Sequence, residues 1–294
     1  MSAPIAAGTM YSMTRVGVIG WPQETNVELA AAWRDRGIPA EFVTPWAAAG
    51  MLRPEDVALG RLDVLRTLDG IEPGLHVLSD LARRGVRVLN DAHGLLRAHD
   101  KLLTALCLEK AGLTHPRTFL VDPSEERLPL EPPFVLKPRF GSWGADVFRC
   151  RAGWEVEAVV RRVEDRPWFR RHGAIVQELL PVAGEDLRLL VAGRRVVGAV
   201  RRIAAPGEWR TNISLGGTRE PIDPPAEACR LGLAAAAAIG ADLVGVDLLP
   251  VDGGHVVLEL NGAAEFDEGY DLPDGDVYLD AAEALDLVTA RVPA

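Results

Sequence analysis

The sequence predicts a mixed α/β (α+β) protein in which a small parallel sheet precedes antiparallel hairpins. Three observations carry that prediction. Short apolar runs alternate with helical stretches over residues 15–90. Leu187–Val191 and Arg195–Ile203 flank the turn Ala192–Arg194, and Leu243–Leu249 and His255–Leu260 flank Val251–Gly254. Alternating strands and helices build parallel units, whereas apolar runs on either side of a glycine turn build hairpins.

The elements follow in order. Arg15–Gly20 is a β-branched run ending in glycine, and Thr25–Arg36 has helical spacing and stops at Gly37. Ala40–Thr44, Leu62–Arg66 and Val86–Leu89 read as further strands, with a helix over Gly74–Arg84 closed by Gly85. Gly17 and Gly20 do not complete a dinucleotide-binding fingerprint, so no Rossmann cofactor site is expected. Leu95–Gly112 reads as one helix, stopped by Gly112 and followed by Pro116. Leu120–Pro133, rich in proline and acids, reads as a connector. Phe134–Lys137 is a strand, Trp154–Val163 a helix running into the basic cluster Arg161, Arg162, Arg166, Arg170 and Arg171, and Ala174–Leu180 a strand. That cluster reads as a solvated face, or as a lure for an acidic peptide tail. Ala226–Ile239 is an alanine-rich helix capped by Gly240.

Composition narrows the functions. The chain has 294 residues, 48% of them apolar, and a net charge of −10. This is enough for a large core, and the acidic balance argues against broad affinity for nucleic acid or anionic membranes. Cys107, Cys150 and Cys229 are far apart and lack zinc spacing, as expected of reduced thiols in a cytoplasmic protein. No segment is long enough to span a bilayer and no signal peptide is evident. Residues 1–14 read as a disordered leader.

Four stretches carry chemistry. Lys137 ends a strand and leads into Gly141, Ser142, Trp143 and Gly144, where backbone N–H groups can approach anionic oxygens; the spacing is not that of a P-loop. Gln177–Leu180, followed by Glu185, Asp186 and Arg188, offers a backbone hinge for a base edge, carboxylates for ribose hydroxyls, and a guanidinium for phosphate. Arg201, Arg202, Arg210 and Asn212 form a cationic group. Asp247 lies on one strand of the last hairpin, and Glu259 and Asn261, two residues apart, leave one face of the other. Their oxygens would converge into a hard cradle suited to Mg²⁺.

In order and spacing, Asp100-Lys101, the Lys137–Gly144 loop, Gln177–Leu180 with Glu185–Arg188, the arginine hairpin with Arg210 and Asn212, Gly245–Asp247 and Leu258–Asn261 resemble the ATP-grasp fold, and within it the RimK-like carboxylate–amine ligases, including LysX-type enzymes. The resemblance covers about residues 88–285. It implies an N-terminal parallel-sheet α/β domain (15–92), a central lid subdomain (93–173) and a C-terminal antiparallel-sheet subdomain with the metal site (174–294). It also implies ATP and Mg²⁺ or Mn²⁺ as cofactors, with Lys101, Lys137, Ser142, Trp143, Gln177, Glu178, Leu179, Leu180, Glu185, Asp186, Arg210 and Asn212 on the nucleotide. Asp247, Glu259 and Asn261 would hold the metal, and Arg188, Arg202 and Arg210 would stabilise an acylphosphate.

The implied reaction adds glutamate or another amino acid to an acidic peptide, carrier protein or metabolite, in a homo-oligomer. Gly262–Phe266 departs from the proline–glycine turn usual in RimK ligases, which leaves the acceptor pocket undefined. Two other readings stay open: a small-molecule kinase that stops after phosphoryl transfer, and a nucleotide-binding regulatory protein without turnover.

Overall fold

The computed structural model describes residues 14–122, 129–181 and 184–288. The expected leader, Thr14 apart, and the middle of the expected connector lie outside the described residues. The first sheet contains β1 (Val16–Ile19), β2 (Ala40–Val43), β3 (Val57–Gly60) and β4 (Arg87–Leu89), with α1 (Glu24–Asp35), α2 (Pro45–Met51) and α3 (Leu75–Arg83) between them. Its order is β2-β1-β3-β4 and every pairing is parallel.

One strand differs from expectation. The third strand is Val57–Gly60, buried at all four residues, and not Leu62–Arg66. The latter segment is a short, mainly apolar run, which imitates a strand, but it closes on itself. Leu65 N–H donates to Gly70 O at 2.9 Å, and Asp63 N–H donates to Glu72 Oε2 at 2.9 Å. The sheet therefore ends at Gly60, and the next residues form a loop that carries Asp63 away from it. Helix α2 escapes the sequence reading because it is only seven residues long, too short to show a periodic face.

The expected helix over 95–112 is two helices, α4 (Ala92–His99) and α5 (Lys101–Lys110), broken at Asp100. Asp100 has ψ 101°, and its carboxylate accepts the N–H groups of Leu102 and Leu103 as an N-cap. Arg139 holds the same carboxylate from the side, with Nε and Nη2 at 2.8 and 2.6 Å. The break aims Lys101 inward.

A second sheet follows: β5 (Thr118–Val121), where a connector was expected, then β6 (Phe134–Pro138), β7 (Phe148–Cys150) and β8 (Ala174–Glu178), with α6 (Gly153–Val163) and α7 (Pro167–His172) covering it. The order is β5-β8-β6-β7, antiparallel throughout. Phe134, Leu136 and Val176 pack on Val163, Trp168 and Phe169. Period-2 alternation therefore turns Val135, Lys137 and Gln177 to the opposite face.

The third sheet contains β9 (Glu185–Ala192), β10 (Arg195–Ile203), β11 (Thr218–Pro221), β12 (Leu243–Val251) and β13 (Gly254–Asn261), with α8 (Ala226–Ile239) before β12 and α9 (Val277–Ala284) closing the described chain. Its order is β11-β10-β9-β12-β13. Leu187, Leu189 and Val191 share a core with Ala235 and Ile239 of α8. Further along β9, on the other face, Leu190 joins Val16, Val18 and Trp33 of the first sheet's layer, together with Ala281 of α9. That second face changes from apolar to charged at Arg188 and Asp186, where the first sheet no longer covers it.

Asn90 joins the first and third sheets. It is fully buried and has φ 50°, a conformation that asparagine tolerates better than most residues. Its Nδ2 donates to Leu243 O at 2.6 Å, and its Oδ1 accepts the N–H groups of Asp242 and Leu243 at 2.8 and 2.9 Å. Asn90→Ala leaves these groups unpaired and is expected to lower the unfolding free energy by about 2–4 kcal/mol, read from urea denaturation. An unchanged denaturation midpoint would count against this junction.

Candidate functional site

Strand register brings the charged residues together. Asp247 on β12 lies opposite Arg188 on β9 and opposite Glu259 on β13. Arg202 on β10 lies opposite Asp186 on β9. The β12–β13 register shifts just past Asp247, because Leu248 pairs with Val257. Leu258 is thus an extra residue, and such a bulge re-aims the side chains beside it.

These groups form one buried network. Arg188 Nε and Nη2 donate to the two oxygens of Asp247 at 2.6 and 2.7 Å. Arg202 Nη2 donates to Asp247 Oδ2 at 2.8 Å, and the Arg202 Nε and Nη2 donate to Asp186 at 2.7 and 2.6 Å. Thr211 Oγ1 donates to Asp186 Oδ2 at 2.5 Å. Burial alone would raise the Asp247 carboxyl; Arg188 and Arg202 outweigh it and hold the group well below the usual carboxylate range.

Glu259 is balanced by two lysines, Lys101 Nζ at 3.2 Å and Lys137 Nζ at 3.5 Å. Burial would raise its carboxyl, and the two lysines instead hold it below its ordinary value. Burial pulls Lys137 down to about 8, against the opposing pull of Glu259. Lys101 Nζ also donates to Gly141 O at 2.8 Å, which ties the glycine loop to α5.

A cleft of about 890 Å³, open solvent at its mouth included, lies between the second and third sheets. It is lined by Lys101, Lys137, Ser142, Trp143, Gln177, Glu178, Leu179, Leu180, Glu185, Asp186, Arg202, Arg210, Asn212, Asp247 and Glu259. Val135, Val147, Leu249 and Leu258 add apolar wall. A second chamber of about 1520 Å³ adjoins it. This chamber is lined by Arg188, Asn261, Asp63, Arg66, His99, Ser214 and Glu265, and it shares Lys101, Gly141–Trp143, Arg202, Asn212 and Glu259 with the cleft.

Some expected residues are already engaged. Asp186 is 3% exposed, with both oxygens taken, so Glu185 is the freer carboxylate at that edge, with Arg201 at 3.8 Å. Glu178 N–H donates to Arg117 O at 2.9 Å, and its side chain pairs with Arg117 at 3.2 Å. Gln177 Nε2 donates to Thr118 Oγ1 at 2.9 Å. Arg210 pairs with Glu208 at 2.7 Å and donates to Gly144 O at 2.8 Å. Asn261 Oδ1 accepts Ala263 N–H at 3.0 Å.

The glycine loop is held from several sides. Gly144 has φ +68°, and a Cβ there would lie 2.7 Å from Asn212 Oδ1, so both conformation and contact require glycine. Ser214 Oγ donates to Trp143 O at 2.9 Å, and the Arg66 guanidinium sits 4.4 Å from the Trp143 ring centroid. The basic cluster does not present free charge: Arg161 pairs with Glu157, Arg166 with Asp146, Arg170 with Asp165 and Arg171 with Asp69, and Arg162 lies over Phe148.

Thr211, Arg139, Asp63 and His99 were not singled out from sequence. Thr211 stands between two residues that were, and His99 precedes Asp100. Asp63 lies in a segment whose apolar run imitated a strand.

The sequence profile described as the RimK-like ATP-grasp domain matches residues 98–271, a span that contains Lys101, Lys137, Arg188, Arg202, Asp186, Asp247 and Glu259. The chain belongs to the RimK-like ATP-grasp family. It is 30% identical to the glutamate–LysW ligase ArgX of Sulfurisphaera tokodaii over 72% of this chain and 78% of that one. It is 28% identical to a probable alpha-L-glutamate ligase of Parasynechococcus marenigrum over 81% of this chain, but the match spans only 54% of that relative's length. Among solved structures, D-alanine–D-alanine ligase from Bacillus anthracis complexed with ATP superposes with a TM-score of 0.68 at 18% identity, covering 94% of this chain and 95% of that one. That likeness shows the ATP-grasp fold. No helix among the described residues is long and apolar enough to cross a membrane.

Arg202 compensates two buried carboxylates at once. Arg202→Ala leaves Asp186 without a cation within ion-pair distance and is expected to cost about 3–5 kcal/mol of stability, measured by chemical denaturation. A loss below about 1 kcal/mol, the scale of an exposed pair, would show that the network carries little of the fold.

Proposed function

We propose that this protein is an ATP-dependent carboxylate–amine ligase that adds glutamate or another amino acid to an acidic acceptor. The observation that carries this reading is the pair of adjoining chambers meeting at Lys101, Arg202 and Glu259. The cleft has an apolar end beside Leu179, Leu180 and Val135 and a cationic end at the lysines, which matches a base and a polyphosphate. The polar chamber leaves room for a carboxylate and an amine. The names of the ligase relatives support the same substrates.

In the proposed reaction, a carboxylate oxygen of the acid attacks the γ-phosphorus of ATP. The bond to the β–γ bridging oxygen breaks, giving an acylphosphate and ADP. The amine nitrogen then attacks the acyl carbon, the C–O bond to phosphate breaks, and phosphate and a proton leave with formation of the amide. Lys101 and Lys137 neutralise phosphate oxygens, Arg188 and Arg202 face the developing charge, and the Ser142–Gly144 loop limits water access. Leu179 and Leu180 offer the hinge for the base, since Glu178 N–H is engaged elsewhere.

Asp247, Glu259 and Asn261 are oxygen donors on neighbouring strands, of the kind Mg²⁺ or Mn²⁺ takes. Both Asp247 oxygens are held by Arg188 and Arg202, so an ion would draw first on Glu259 and Asn261, which line the same chamber. Among the described residues, no group of three or more His, Cys, Asp or Glu is placed to hold a metal ion. Such a sparse set suits an ion completed by phosphate and water. When bound, the ion would supply charge neutralisation on the transferring phosphate. We further place the enzyme in the cytoplasm, supported by three free cysteines. We divide the chain at about residue 92 and, instead of at 173, just after β8, because Ala174–Glu178 pairs with β5 and β6 in the second sheet; we expect a homo-oligomer.

The reading is tested by ADP release against amino acids and acidic peptides, with mass spectrometry of the product. An amide product is expected; a stable phosphoester would mark a kinase instead. Glu259→Ala is expected to abolish turnover, and full activity in that variant would contradict the site. Lys137→Ala is expected to raise the ATP dissociation constant about tenfold or more, as for the loss of a charged hydrogen bond; an unchanged constant by calorimetry would remove Lys137 from the phosphate site.

A further inference from the structure

The second chamber contains a buried charge without a partner. Asp63, on the loop after β3, is 5% exposed and lines the chamber beside His99 and Lys101. Its Oδ1 accepts Val64 N–H at 2.7 Å, while no described residue donates a hydrogen bond to Oδ2. The nearest basic atom is His99 Nδ1 at 3.9 Å.

His99 does not act as a cation there. Burial, with Lys101 nearby, pushes its pKa down to about 3, and its Nε2 is buried without a hydrogen-bond partner. The neighbouring guanidiniums are committed elsewhere. Arg61 donates to Asn26 Oδ1 at 3.2 Å and to Ala264 O at 2.7 Å, and Arg66 stacks on Trp143. Burial also raises the Asp63 carboxyl. Asp63 Oδ2 faces the chamber with no cation in contact, and a cationic ligand group placed there would form an ion pair beside a largely buried carboxylate. The chamber that holds Asp63 opens onto Lys101 and Glu259, where the reacting phosphate is placed by the ligase reading.

We propose that Asp63 receives the ammonium group of the amine substrate. The proposal rests on the ligase reading and adds to it a substrate class: the amine arrives as a cation, as a free amino acid does. It gives one proton to water in the open chamber so that its nitrogen regains a lone pair, and loses the second as the amide forms. Asp63 is a binding residue that selects for charge on the nitrogen. Asparagine at this position keeps the Val64 hydrogen bond through its amide oxygen and removes only the charge.

The test uses the full chain with ATP, Mg²⁺ and an acidic peptide as the acid. The amine is the standard amino acid that best supports ADP release, compared with hydroxylamine, which is uncharged near neutral pH and traps an acylphosphate as a hydroxamate. In Asp63→Asn, KM for the amino acid is expected to rise at least about tenfold, the loss expected for one charged hydrogen bond. The ratio of amide to hydroxamate formed should fall by a similar factor. An unchanged KM and an unchanged ratio, with the wild type active, overturn the role of Asp63 alone. A wild type that releases no ADP with any amino acid or with hydroxylamine overturns the ligase reading, and this inference with it.

Discussion

The site depends on how a row of buried charges is compensated across one sheet. Arg188 and Arg202 converge on Asp247, Arg202 continues to Asp186, and Glu259 is met by Lys101 and Lys137. Removing Arg202 leaves Asp186 without a cation, and removing Asp247 leaves Arg188 without a carboxylate, each beside a low-dielectric wall. The network therefore constrains the third sheet's register alongside the apolar packing. It also leaves the lysines and arginines presented together where a polyphosphate could be neutralised.

The lysines reach this row by different routes. Lys137 comes from β6 by strand alternation, because Phe134 and Leu136 face the core. Lys101 comes from a helix break: Asp100 caps α5 and is gripped by Arg139, the residue just past the strand that carries Lys137. The ion pair thus links the two segments that carry the lysines beside Glu259. The glycine loop is tied in turn to Lys101, Arg66, Ser214 and Arg210. Contacts from α5, from the loop after β3 and from the β10–β11 connection meet at one loop.

Much of the framework was legible locally. β-branched runs marked β1, β2, β4, β6 and β8, glycine turns marked the two hairpins of the third sheet, and helical spacing marked α1, α3 and α8. Short elements were missed: α2, β7, α7, β11 and α9 are too brief for a periodic signal. The loop at Leu62–Arg66 was misread because a short apolar run alone does not reveal which backbone groups find partners. The break at Asp100 was missed because an aspartate inside an apolar helical pattern reads as an exposed position until Arg139 is placed beside it.

The sequence by itself determined the fold family and the residue types at the site, since motif order and strand periodicity are local properties of the chain. Tertiary structure alone decided which of those charges are already paired, as with Asp186 and Glu178, and which are not, as with Asp63. Pairing depends on residues far apart in the chain, and burial sets its cost, because a charge is expensive only where surrounding layers exclude water. No local pattern encodes that exclusion.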